Sequence, residues 1–229
     1  MPAPPLPRPP AAGGRPRLEI TLLRPETGPV RLDLAMEPEG ESRGLIALED
    51  GGWWLSRVRR RGPRRVLDQH LLPDLRLLDR TTFFAEPDAF TEAHRQDRLG
   101  GPNLHPSPLR LPAAMRPGER AQVGPGEVEL LAAGRARLQL GRWTEERFVY
   151  ALQAREGAQA RVQWMGEGLG ELGLGPPAGP LQRWLVGWAG PGATALRPLP
   201  EALRAAPLPD LHAGPGGARP ASALLGAPP

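Results

Sequence analysis

Gly168, Gly170 and Gly173 lie in Trp164-Met165-Gly166-Glu167-Gly168-Leu169-Gly170-Glu171-Leu172-Gly173 with the G-x-G-x-x-G spacing of a dinucleotide site. That chemistry needs a helix to begin at the glycines, so that its first amides meet the pyrophosphate. Here the chain continues Leu174-Gly175-Pro176-Pro177-Ala178-Gly179-Pro180, which cannot open a helix. The residues read instead as a strand, a glycine turn and a second short strand.

Arginine supplies the next cluster. Arg57, Arg59, Arg60, Arg61, Arg64 and Arg65 crowd beside Trp53 and Trp54. Arginines on a hairpin next to aromatic rings can follow a phosphate backbone and stack on bases, so this stretch is the candidate for nucleic-acid or acidic-partner binding. The chain has no lysine, and its formal net charge is only +4. Every lysine-or-arginine position in this sequence is arginine, which together with the Ala, Gly, Pro and Leu excess has the look of a GC-rich genome, and a solvated arginine hairpin is the plainer reading.

Other reactive combinations are missing from the sequence. Without cysteine there is no thiolate nucleophile, disulfide or zinc ribbon. Without lysine there is no P-loop or Schiff-base chemistry. His70, His94, His105 and His212 show no metal-ligand spacing, and His94 with Glu92 and Asp97 reads as a solvated cluster. Glu145-Glu146 point to opposite faces of any strand, and the pair Glu167/Glu171 would need a pocket to split its pKa values. The expectation is a protein that is not an enzyme and uses neither cofactor nor metal.

The elements that must position these residues are strands. Leu18, Ile20 and Leu22 alternate with polar neighbours, and so do Val30, Leu32, Leu34 and Met36, with turn residues between the two runs and again at 37–41. They predict an opening β-meander. Residues 53–60 and 65–71 predict a hairpin about Arg61-Gly62-Pro63-Arg64, and 75–84 a further strand. Asp88 as N-cap with Ala89, Phe90 and Ala93 following predicts one short helix over 88–98. Alternation resumes at Val128 and Leu130, at Ala136, Leu138 and Leu140, at Phe148, Tyr150 and Leu152, at Val162 and Trp164, and at Trp184, Val186 and Trp188. The fold class is mainly β: a curved antiparallel sheet or unclosed barrel with one short helix and disordered Pro/Gly-rich termini. The expected organisation is a disordered N-terminus over 1–16, a single antiparallel β domain over 17–189 and a flexible Pro/Gly/Ala-rich tail over 190–229.

Leu109-Arg110-Leu111-Pro112, then Arg116-Pro117-Gly118-Glu119, a meander, and Trp164-Met165-Gly166-Glu167-Gly168-Leu169-Gly170-Glu171-Leu172 carry a resemblance. Over roughly residues 109–175 the chain resembles bacterial all-β proteins of the lipoprotein-carrier-like half-barrel group. The resemblance implies an unclosed barrel around an apolar groove with a helix as plug, and a role in holding a lipid or hydrophobic ligand or in cell-envelope assembly.

The expected function is therefore non-catalytic binding. Phe148, Tyr150, Trp164, Trp184 and Trp188 are the candidate lining for a lipid, an apolar ligand or a partner segment; Trp residues also serve as core, since each buries on the order of 150–250 Å². The alternative is nucleic-acid or acidic-partner binding through the arginine hairpin 57–65. No run approaches the ~20 apolar residues of a membrane span, and the N-terminus lacks the apolar run of a signal peptide. The expected location is cytoplasmic as the sequence is written, or periplasmic or envelope if translation starts upstream with a signal.

Overall fold

The computed structural model describes residues 17–36, 39–71, 76–97, 109–193 and 196, with two short strands beyond. In chain order the strands are β1 (Glu19–Pro25), β2 (Val30–Arg31), β3 (Gly40–Leu48), β4 (Trp53–Arg61), β5 (Arg64–Leu71), β6 (Arg76–Ala85), β7 (Ala89–Asp97), β8 (Arg110–Pro112), β9 (Ala114–Met115), β10 (Arg120–Val123), β11 (Gly126–Leu140), β12 (Trp143–Glu156), β13 (Gln159–Gly166), β14 (Gly170–Gly175), β15 (Arg183–Ala189), β16 (Pro207–Pro209) and β17 (Ala218–Pro220). The N-terminal segment 1–16 and most of the chain after 193, expected above to be disordered, lie outside the described residues.

One 13-stranded antiparallel sheet holds most of the chain, in the order β1-β11-β12-β13-β14-β15-β3-β4-β5-β6-β7-β8, with β10 beside β1 on the free edge of β11. The two strand-rich halves of the sequence share this sheet. They join where β15 pairs with β3, Leu185 opposite Ile46 and Trp184 opposite Ala47. The ladder does not close into a barrel.

Residues 30–36 are not one half-buried strand, and the opening is not a meander: β1 lies on β11 while β3 lies between β15 and β4. Only Val30 and Arg31 pair, with Met115 and Ala114 of β9, and Leu34–Met36 forms a 3-10 turn. The physical reason is that burial here follows no period of two. Val30, Leu32, Asp33 and Ala35 are all buried, and the Leu32 carbonyl accepts from the Tyr150 hydroxyl. The segment is tied onto the sheet as a plug.

The predicted helix over 88–98 is strand β7 instead. Asp88 does not cap: its backbone carbonyl accepts from Ala113 N–H at 2.9 Å and its carboxylate takes Arg110 at 2.8 Å. Phe90 stacks on Phe83 of β6 with ring centroids 4.9 Å apart, and Phe90 also sits opposite Leu111 of β8. Cross-strand aromatic packing and the β8 edge thus outweigh a weak helical pattern.

The long strands β11 and β12 belong to two layers. β12 pairs with β13 only from Val149 onward, so its first half, the second half of β11 and β1 form a three-stranded arm. In the arm Ala136, Leu138 and Leu140 are buried while Arg135, Arg137 and Gln139 are exposed. The buried side joins Leu18, Leu45, Ala47, Trp53, Leu55, Val149, Leu172 and Trp184 in the larger core, and Leu196 beyond β15 is buried with them. Arg17, just ahead of β1, lies over the Trp184 ring at 5.6 Å and pairs with Glu49 at 3.6 Å, which fixes the arm against β15 and the end of β3.

The arm leaves the sheet at Gly134. That residue has φ of 146°, and a Cβ on it would stand 2.1 Å from the Arg24 carbonyl oxygen. Register shifts at Leu22/Arg24 and Leu130/Ala132 fall at the same bend, as bulges do where strands change direction.

Candidate functional site

On the other face of the sheet the plug and the strands around it form a pocket. Its walls come from alternate residues of β4 to β7 (Ser56, Val58, Leu67, Gln69, Asp79, Thr81, Phe83, Glu92) and of β13 to β15 (Arg161, Gln163, Met165, Glu171, Leu174, Arg183), with Met36 of the 3-10 turn. β13 and β7 are seven steps apart in the order β13-β14-β15-β3-β4-β5-β6-β7. In a flat sheet they would stand about 34 Å apart. Both line one cavity of about 320 Å³, so the sheet curls and this face is concave.

The lining mixes chemistry. Val58, Leu67, Phe83, Met165, Leu174 and Met36 offer apolar surface, whereas Glu171 sits at the centre of a polar set. Its carboxylate accepts from Gln163 at 2.7 Å and from the Arg183 guanidinium at 2.8 Å, and Arg183 also lies over the Trp54 ring at 4.8 Å. These side chains are fixed before anything binds.

The glycine motif of β13 and β14 helps build this pocket. Gly168 and Gly170 take φ of 67° and 77° in the hairpin turn, the left-handed region that favours glycine. Gly168 N–H donates to the Leu34 carbonyl at 3.1 Å, and Gly170 itself lines the cavity. Strand, glycine turn and strand are as the sequence indicated, and the turn receives the plug.

A second tie holds the plug from the opposite wall. Arg65 of β5 is buried, and its guanidinium stands 3.8 Å from the Asp33 carboxylate, which also pairs with Arg31 at 2.8 Å. Tyr150 is buried beneath, donating to Leu32. Burial pushes its hydroxyl pKa upward and the Asp33 charge adds to this, so the phenol stays a donor throughout the physiological range.

Of the five residues proposed from sequence as ligand lining, none is on this pocket's wall. Tyr150 belongs to the smaller core with Val30, Leu32, Met115 and Leu130, and Phe148 packs against it half-buried. Trp184 is in the larger core, with Trp164 and Trp188 packed against it. Register explains the split: Tyr150 faces Met165, on the pocket side, while Trp164 faces Ala151 and Gly173, on the other side of the sheet.

The arginine hairpin is divided in the same way. Arg57 pairs with Glu41 at 2.9 Å, Arg59 with Asp68 at 2.6 Å, and Arg60 with Glu39 at 3.3 Å. Arg65 faces the plug. Arg59, Arg61 and Arg64 join Arg80 on the convex side around a shallow groove of about 310 Å³. Among the described residues no three His, Asp or Glu side chains are grouped to hold a metal ion.

Asp68 shares that face, two residues beyond Val66 on β5, but is buried, and it receives Arg80 at 2.6 and 3.1 Å as well as Arg59. Burial pushes its carboxyl pKa up. The Arg80 hydrogen bond and the charges of Arg59, Arg80 and His70 outweigh this and hold it below the ordinary carboxylate value. A depressed folded pKa stabilises the fold above the unfolded value of about 3.9, and this contribution is lost as pH falls through the folded pKa. Asp68→Asn is therefore expected to be less stable than the parent at neutral pH, with the gap closing below about pH 4. Urea titrations at several pH values measure this, and a gap independent of pH would contradict it.

Protein-family models, curated proteins and solved structures offer no significant match to this chain. The geometry is the ground for a functional reading.

Proposed function

We propose that this protein is a non-catalytic binding protein whose curled sheet holds an amphipathic ligand in the concave pocket. The observation that supports this most is the cavity of about 320 Å³ whose wall combines apolar side chains with a hydrogen-bonded polar set. Binding sites for small molecules begin at about this volume, with polar groups that set orientation; here polar and charged side chains make up more of the wall than apolar ones, which suits a ligand with a substantial polar part. An apolar body would rest on Val58, Leu67, Phe83 and Met165, and a polar head would meet Gln163, Glu171 and Arg183.

Residue types alone point to a hydrophobic ligand or partner segment held against aromatic residues. The wall described above favours a ligand with a polar end, since leaving Asp79, Glu92 and Glu171 against pure hydrocarbon would cost their hydration.

Anilinonaphthalene sulfonate, a fused apolar ring system with an anionic head, probes the site. The folded protein is expected to bind it saturably, and Val58→Trp, which fills the cavity, is expected to lower that affinity at least about tenfold, or about 1.4 kcal/mol. Met165→Trp provides a second filling variant from the opposite wall. Equal binding by the parent and both folded variants would contradict a ligand site in this pocket.

A further inference from the structure

We infer that the convex face of β4, β5 and β6 is a binding site for single-stranded nucleic acid, separate from the concave pocket. Register places Arg59 and Arg61 of β4, Arg64 of β5 and Arg80 of β6 on one face, around a groove floored by Val66 and Thr82. Alternate residues on a strand are about 6.6 Å apart and β4 and β6 about 9.6 Å apart, so four guanidiniums occupy one small patch. Among the described residues no carboxylate lines the groove.

Asp68 does not neutralise this patch. It shares the face, two residues beyond Val66 on β5, but it is buried and committed to Arg59 and Arg80, and one carboxylate shared by two guanidiniums leaves a net positive charge while fixing both forks in place. Arg61 and Arg64 flank the Gly62-Pro63 turn and form no ion pair among the described residues, so their donors face solvent. Fixed and free arginines together suit a run of phosphates, each of which can accept from a planar fork.

Phe84 selects among polyanions. It sits directly opposite Arg64 on the same face and is 40% exposed, one of the few large apolar side chains left in water among the described residues. A run of peptide carboxylates has no planar face to set against that ring, and a duplex keeps its bases stacked inside. Unpaired bases can stack on it while their backbone crosses the arginines.

Fluorescence anisotropy of the full chain with a labelled oligothymidine of roughly 16 nucleotides tests the inference. Four phosphate contacts predict that log affinity falls with log salt with a slope of about −3, and Arg61→Gln with Arg64→Gln should roughly halve that slope. Both side chains are on the surface, so the variant should keep the parent's unfolding transition. Phe84→Ser should weaken binding roughly 5- to 100-fold with the slope unchanged. No binding, a salt-independent affinity, or polyglutamate competing as well as unlabelled oligothymidine would overturn the assignment. So would equal binding of duplex and single strand with Phe84→Ser silent.

Discussion

Trp184→Ala is expected to cost about 3–5 kcal/mol of unfolding free energy, the range for removing a fully buried Trp or Phe side chain. The ring is 3% exposed, within the core that joins β1 and β11 of the arm to β3, β4 and β15. Its loss leaves a cavity between two layers, each held by its own backbone hydrogen bonds, so neither can collapse fully onto the other. It also removes the ring beneath the Arg17 guanidinium. Denaturant unfolding measures the loss, and dye binding by the folded fraction should be unchanged because Trp184 is not on the pocket wall. Near-parental stability with abolished binding would instead give Trp184 a ligand contact and contradict the assignment of the two faces.

Gly134→Ala should be of similar size although it adds a single methyl group. The new Cβ would fall 2.1 Å from the Arg24 carbonyl oxygen and 3.0 Å from both the Arg24 carbonyl carbon and the Glu26 nitrogen. These are backbone atoms on the strand across the ladder, so no rotamer change relieves the contact. Glu26 N–H also bonds the Ala133 carbonyl at 2.8 Å, which holds the two chains together at this point. Strain at a positive φ and overpacking each contribute on the order of 1–3 kcal/mol, for an expected loss of about 3–5 kcal/mol. Because β11 is the one strand that β1 pairs with among the described residues, hydrogen exchange should rise first in Glu19–Pro25. A variant as stable as the parent would show that the arm does not pivot here.

Strands were legible in this sequence wherever one face is buried and the other is wet. Leu18, Ile20 and Leu22 with Ala136, Leu138 and Leu140 give clean alternation because the arm has solvent on its outer side. The hairpin about Gly62-Pro63 and the one at Gly168 and Gly170 were legible from turn chemistry. Alternation misled at Val30 to Met36, where apolar residues at every second position belong to a plug buried on several sides. It misled again at Ala89 to Asp97, where a short segment of mixed polarity suits either period and tertiary packing on Phe83 and Leu111 decides.

The pocket was harder to read for a related reason. Gln163 and Met165 line it while Trp164, between them on the same strand, packs against the larger core on the other side. Residue type points to the tryptophan, and only register, with bulges at Trp164/Met165 and Leu185/Gly187, shows which face is hollow. Bulges change the count of residues between faces without leaving a reliable mark on the sequence. The mixed polarity of 161–165 was the signal available: Val162 and Trp164 are apolar on one face, while Arg161, Gln163 and Met165 mix polar and apolar on the other.

The central claim is that the concave pocket holds a ligand, and native mass spectrometry of freshly purified full-length protein, beside its denatured mass, tests it most directly. A bound species of a few hundred daltons, the size a cavity of about 320 Å³ admits, is expected on the parent protein and not on folded Val58→Trp. A bound mass retained equally by Val58→Trp, or a parent protein that stays bare when offered amphipathic ligands, would contradict it.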